Sequence, residues 1–160
     1  MRLALRSAAA NGYYVFDELM TDEAGMIDFL AVGPVGGCVV VVRDEPGTVT
    51  ADVDATLYLN TQPFDEDPKR QGAELADDVN RKFERASVNC FYVVCFTRAE
   101  LAYLGDDDEV LHGVCPTWDL PLTFSEAAKD LAPSDVDNLA DLVREAFGRP
   151  PFVVPEEGEL

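Results

Sequence analysis

Lysine is nearly missing from this chain: Lys69, Lys82 and Lys129 are the only three in 160 residues, and His112 is the only histidine. Proteins that hold a phosphate backbone do so with clustered Lys and Arg, whose counterion release sets the affinity. Here 12 basic residues stand against 31 acidic ones, a formal charge of -19, which repels polyanions and argues against nucleic acid as a partner. Lys69-Arg70, Arg81, Lys82 and Arg85 alternate with Asp77, Asp78 and Glu84, the pattern of a mixed-charge solvent face. With one histidine, a Ser/His/Asp or Cys/His relay would have to run through His112, and EVLHGVC around it reads as a strand edge with no nucleophile motif beside it.

Other shortages exclude further classes. No apolar run reaches the ~18 residues needed to cross a bilayer, so no membrane partner is expected. The opening MRLALRSAAANG has an apolar patch broken by Arg6 and reads as a helix over Arg2 to Ala10 rather than a signal peptide, giving a cytoplasmic expectation. The four cysteines, Cys38, Cys90, Cys95 and Cys115, have no CxxC spacing and lie in apolar strand-like runs, which predicts reduced core residues rather than a zinc site. The acidic run Asp106 to Glu109 is contiguous, without the spaced ligands and glycine of an EF-hand, and reads as a solvated loop. The excess of acid also suits a high-salt cytoplasm, while Arg in preference to Lys equally suits a GC-rich genome.

What remains is a chain of 48% hydrophobic residues, long enough for one α/β domain over residues 1–152 with an acidic flexible tail over 153–160. YYVFDELM reads as a strand, and TVTADVDATLYLN as two short strands closing a hairpin. Asp67 caps a helix with Pro68 at its first position and Ala76, Val79, Phe83 and Ala86 on one face. VNCFYVVCFT, almost wholly apolar, predicts a central strand covered on both faces, so a strand-helix-strand crossover is expected. Val110 to Val114 reads as a strand, Pro116 to Pro121 as a loop holding Trp118, and Thr123 to Glu126 as a capping box. A last helix from Ser134 has Val136, Leu139, Ala140, Val143 and Phe147 on one stripe and stops at Gly148.

The most informative stretch is GMIDFLAVGPVGGCVVVVRDEPG, residues 25–47. One acid, Asp28, sits in an apolar strand; Gly33-Pro34-Val35-Gly36-Gly37 reverses the chain; a second strand runs from Cys38 to Arg43. This layout resembles the nuclease-related domain (NERD) family, with its Asp-bearing strand, VGPxG turn and Val-Ile-Glu-x-Lys strand. The resemblance covers roughly Arg2 to Thr97 and implies a restriction-endonuclease-like mixed β-sheet flanked by helices, of the PD-(D/E)xK superfamily. In that superfamily the Asp and Glu hold a divalent metal and the Lys orients or activates the attacking water. Asp28 matches the metal-binding Asp, whereas the Glu position falls on Val41 and the Lys position on Arg43. The family also carries a Gln shortly after a Pro at the crossover helix, matched by Pro68 and Gln71, and an acid on the first helix, which this chain lacks.

Residues two apart in a strand share a face, so Val41 and Arg43 both look toward Asp28. Valine gives a metal no oxygen, and a guanidinium keeps its proton and brings a fixed positive charge. An Asp28–Arg43 ion pair is therefore expected in place of the metal. The chemistry could instead be rescued by Glu18, Glu23, Asp44 or Glu45, of which Asp44 points to the wrong face. Three classes follow: a catalytically degenerate nuclease-fold module (a pseudoenzyme) that needs no cofactor and binds a protein partner; an active Mg-dependent nuclease with Asp28, Glu18 and Glu23 as metal ligands and Gln71 nearby; and a structural protein, with homo-oligomerisation open to it. An exposed apolar patch would favour the third.

Overall fold

A computed structural model describes residues 1–84, 88–102, 113–116, 120 and 131–151. His112, the Asp106–Glu109 run, Trp118, the Thr123–Glu126 capping box and the 153–160 tail lie outside the described residues.

The chain opens with helix α1 (Arg2–Ala10), followed by an antiparallel meander of β1 (Tyr14–Met20), β2 (Met26–Gly33) and β3 (Gly36–Arg43). Gly36 makes the β2–β3 turn possible: its φ is +106°, and a Cβ there would meet the Asn89 carbonyl oxygen at 2.5 Å. After β3 come three short strands, β4 (Thr48–Ala51), β5 (Leu57–Leu59) and β6 (Gln62–Pro63), then helix α2 (Pro68–Phe83). Asp67 accepts from the Lys69 N–H at 3.0 Å with Pro68 at the first position, the cap the sequence predicts. Strand β7 (Cys90–Phe96) then lies parallel to β3, with Gly37 opposite Cys90 and Arg43 opposite Phe96. The crossover is thus formed as expected.

Beyond β7 the described elements are β8 (Glu100–Leu101), β9 (Val114–Pro116) and helix α3 (Pro133–Phe147). The sequence predicts a strand over Val110 to Val114, of which 110–112 lie outside the described residues; β9 pairs Val114–Pro116 in parallel with β7, and a proline is tolerated because β9 is an edge among the described strands. Helix α3 starts at Pro133 and ends on Gly148 in the left-handed region, with Val136, Leu139, Ala140 and Val143 buried.

Two mixed sheets result among the described residues, ordered β1-β2-β3-β7-β9 and β6-β5-β4-β8. The sequence predicts one. The second continues the first past a bend: the Thr97 N–H donates to the Arg43 carbonyl at 2.9 Å and the Glu100 N–H to the Gly47 carbonyl at 2.8 Å, carrying the parallel pairing from β3/β7 into β4/β8. One face of the large sheet, with Leu30, Val32, Val39, Val41 and Val94, packs on Leu75, Val79 and Phe83 of α2 and Leu139 and Val143 of α3. The other face buries Val15, Ala31, Cys38, Val40 and Cys95 with Ala8 and Leu120. Cys38, Cys90 and Cys95 are buried as expected, and burial pushes the Cys90 thiol up to about 12. Cys115 is half-buried at the edge.

Candidate functional site

Strand direction gathers the sequence-predicted residues. Because β3 and β7 are parallel and α2 returns between them, the start of α2 lies at the ends of β3 and β7 where Arg43 and Phe96 sit. β2 runs opposite to β3, so its early residue Asp28 lies at this same end, and the close of β1 with Glu18 lies beside it.

Here the meander is deformed. Asp17 opposes Phe29 and Leu19 opposes Ile27, but Glu18 between them takes φ +50°. Phe16 and Leu19, three apart, both enter one core, and so do Ile27 and Leu30. Strict alternation would put them on opposite faces, so both strands are kinked, at Glu18 and at Asp28. The kink tips the end of the hairpin onto α2, where Lys82 Nζ meets Asp22 at 2.7 Å.

Asp28 is half-buried at the kink. Regular pairing of β2 with β3 stops at Phe29 opposite Val40, and the next donor, the Val42 N–H, is taken by Asp28 Oδ2 at 3.0 Å. The carboxylate substitutes for a carbonyl rung where the ladder breaks. Val41, two residues before Arg43 on β3, is 2% exposed and part of the apolar core.

The expected Asp28–Arg43 ion pair is not what forms. Arg43 Nε donates to Glu45 at 2.9 Å and 3.2 Å, and its guanidinium lies 5.4 Å from the centre of the Phe64 ring, which in turn packs on Phe96. The reason is local: a partner two residues along the chain is delivered with little loss of freedom, and the Phe64 face holds the planar cation. Asp28, meanwhile, is occupied by backbone. The sign and spacing of Arg43 and Glu45 were the available signal; Phe64 had none.

Gln71 is half-buried, and its Oε1 is buried without a hydrogen-bond partner among the described residues. Asn80 brackets Cys90, accepting its N–H at 2.6 Å and donating to its carbonyl at 3.1 Å, so that flank of α2 faces β7. At about 100° per residue Gln71 and Asp78 lie on the opposite flank, toward the β1–β2 side. Asp78 corrects the reading of a solvent-facing helix surface: it is 1% exposed, with Oδ1 on Arg81 at 2.9 Å and Oδ2 without a partner among the described residues.

The proposed rescuing acids are held elsewhere. Glu18 is exposed, with Arg149 at 3.8 Å, while Arg149 also reaches Asp17 at 3.0 Å. Glu23 borders a shallow cleft with Glu74, Asp77 and Arg81. Asp44 is exposed, its carbonyl accepting from Arg98. Among the described residues no group of three or more His, Cys, Asp or Glu is placed to hold a metal. Magnesium prefers octahedral oxygen ligation from carboxylates and water. The donors at this end of the sheet do not fit it: Asp28 has one oxygen on an amide, Val41 offers none, and Arg43 is a cation.

Among the described residues no helix is long and apolar enough to cross a membrane. No protein-family model, curated protein or solved structure matches the chain.

Proposed function

We propose that this chain is a divergent nuclease-related domain, a restriction-endonuclease-like scaffold of PD-(D/E)xK type that has lost its metal chemistry and acts as a binding or regulatory module for a protein partner. The element order supports the scaffold: a helix, three antiparallel strands, then a helix crossing over to a parallel fourth strand, with Asp28, the Val41 position and Gln71 brought to one end of the sheet. The observation that carries the loss of chemistry is the Asp28 carboxylate, which spends an oxygen on the Val42 N–H. Val41 in the core and Arg43 on Glu45 agree with it. The charge of -19 favours a protein over a nucleic acid as the partner.

One observation favours an active magnesium-dependent nuclease instead: Gln71 Oε1, a buried acceptor with no partner among the described residues, on the flank facing the meander. Calorimetric titration of magnesium and of manganese into wild type and Asp28→Asn, with a plasmid-nicking assay, separates the two. The degenerate module shows neither Asp28-dependent binding nor nicking. Saturable binding lost in the variant, together with nicking, would replace it with a rearranged nuclease.

A further inference from the structure

A second site lies away from that end of the sheet. Between the α1–β1 turn, the β2–β3 turn and the start of α3 is a cleft of about 340 Å³, bordered by Tyr13, Tyr14, Pro34, Pro133, Val136 and Asp137. That volume falls at the lower end of the range for small-molecule sites. Its walls are largely apolar, and two contacts join them. The Tyr13 ring lies flat against Gly33, where a Cβ would come within 2.3 Å of it, and the Leu131 N–H donates to the Pro34 carbonyl at 2.8 Å, tying the approach to α3 onto the β2–β3 turn.

The mouth carries one polar pair. Tyr14 Oη donates to Asp137 Oδ1 at 2.6 Å, closing the cleft on the α3 side. Among the described residues Asp137 is the one charged residue on the wall; Asp135 and Asp141 stand on the same helix, and Arg144 is drawn to Asp141 at 3.3 Å. The hydrogen bond to Asp137, and then the charges of Asp137 and Asp141, raise the Tyr14 phenol above its ordinary range, so it stays a neutral donor in a negative field. An apolar slot with tyrosine rings and one carboxylate at its mouth is complementary to an alkyl chain ending in a positive charge.

We propose that this cleft binds a small aliphatic amine, with its alkyl body between Tyr13, Pro34 and Pro133 and its ammonium on the Asp137 carboxylate beside the Tyr14 ring. The carboxylate supplies orientation and charge selection; the apolar walls supply most of the affinity, because an exposed ion pair alone is weak. With its alkyl end inside the cleft and its ammonium at the mouth, the occupant is a free amine, because a lysine side chain of a partner protein would enter ammonium first. The site is independent of the nuclease-like reading and stands or falls apart from it.

The test is titration of n-butylammonium chloride into the full-length chain, followed by amide chemical shifts, with 1-butanol as the uncharged molecule of the same size. Saturable binding in the millimolar range is expected, with shifts centred on Gly12, Tyr14 and Asp137. Binding weakens about fivefold in Asp137→Asn, the upper end for an exposed ion pair, and 1-butanol binds correspondingly less well. Asp137 is exposed, so the variant folds. Absence of saturable binding, equal binding of 1-butanol, or an unaffected Asp137→Asn would each overturn the proposal. So would a short lysine-bearing peptide that binds as tightly as butylammonium, which would make a protein side chain the occupant.

Discussion

Truncating Asp28 tests whether its carboxylate braces the fold. In Asp28→Ala the Val42 N–H loses its 3.0 Å acceptor at a half-buried strand kink. An orphaned backbone donor costs about 1–3 kcal/mol, and partial access of water places this one toward the lower half. Asp28→Asn keeps an oxygen in place and exchanges a charged acceptor for a neutral one of roughly half the strength, so the loss should stay below about 1 kcal/mol. A domain of this length shifts its melting temperature by about 2–4 °C per kcal/mol, so Ala lowers it by about 2–8 °C and Asn by less than about 4 °C. Urea midpoints with unchanged slopes would show that the effect is on stability. A carboxylate kept for a metal behaves oppositely: without the metal it is an uncompensated charge, and its removal relieves the fold. If Asp28→Ala melts at or above the wild-type temperature, or if Asn is as damaging as Ala, the bracing role is wrong.

Two further substitutions address the packing. Gly72 lies inside α2, where alanine would ordinarily stabilise by about 1 kcal/mol. A Cβ there would meet Tyr92 Cδ2 at 2.5 Å and Cγ at 2.8 Å, so Gly72→Ala should instead destabilise by about 1–3 kcal/mol; a raised melting temperature would refute this. Burial first, and then Cys38, push the Tyr13 phenol from 10.0 to about 12. The folded state therefore holds the proton longer than the unfolded chain: the contribution is whole below pH 10 and is lost as pH rises toward 12, amounting to about 2–3 kcal/mol. Urea midpoints across that window should fall less steeply in Tyr13→Phe than in wild type, and parallel curves would contradict the assignment.

The helices and the strand-helix-strand crossover were legible because their signals are local. Asp67 and Pro68 mark the start of α2, Gly148 marks the end of α3, and the apolar run in β7 leaves little choice but an interior strand. The division into two sheets was not legible, because it depends on how β3 and β7 bend together past Arg43 and Thr97, a relation between segments far apart in the chain. Within the candidate site, the apolar run placed Val41 and Arg43 together on one strand, β3. It failed on pairing. The break at Glu18 and Asp28 has no composition of its own, since a kinked strand and a straight one can share the same apolar pattern. Asp78 was not legible for a related reason: its buried state comes from tertiary packing, and the helix alone would leave it in water.

The order of the strands also carries a consequence for synthesis on the ribosome. The β1–β2–β3 meander joins neighbours in sequence, so its rungs can form as soon as Arg43 has emerged. The other edge of β3 pairs with β7 in parallel, and Gly37 has no Cys90 to meet until α2 has been made. For that interval the nascent chain presents a valine-rich strand with an open hydrogen-bonding edge and no helix over one of its faces. Non-local parallel pairing is slow to close. Gly37 and the run Val39 to Val42 are therefore the segment most exposed to wrong partners during folding, and a chaperone or a slow-translated stretch before α2 would act on this segment first.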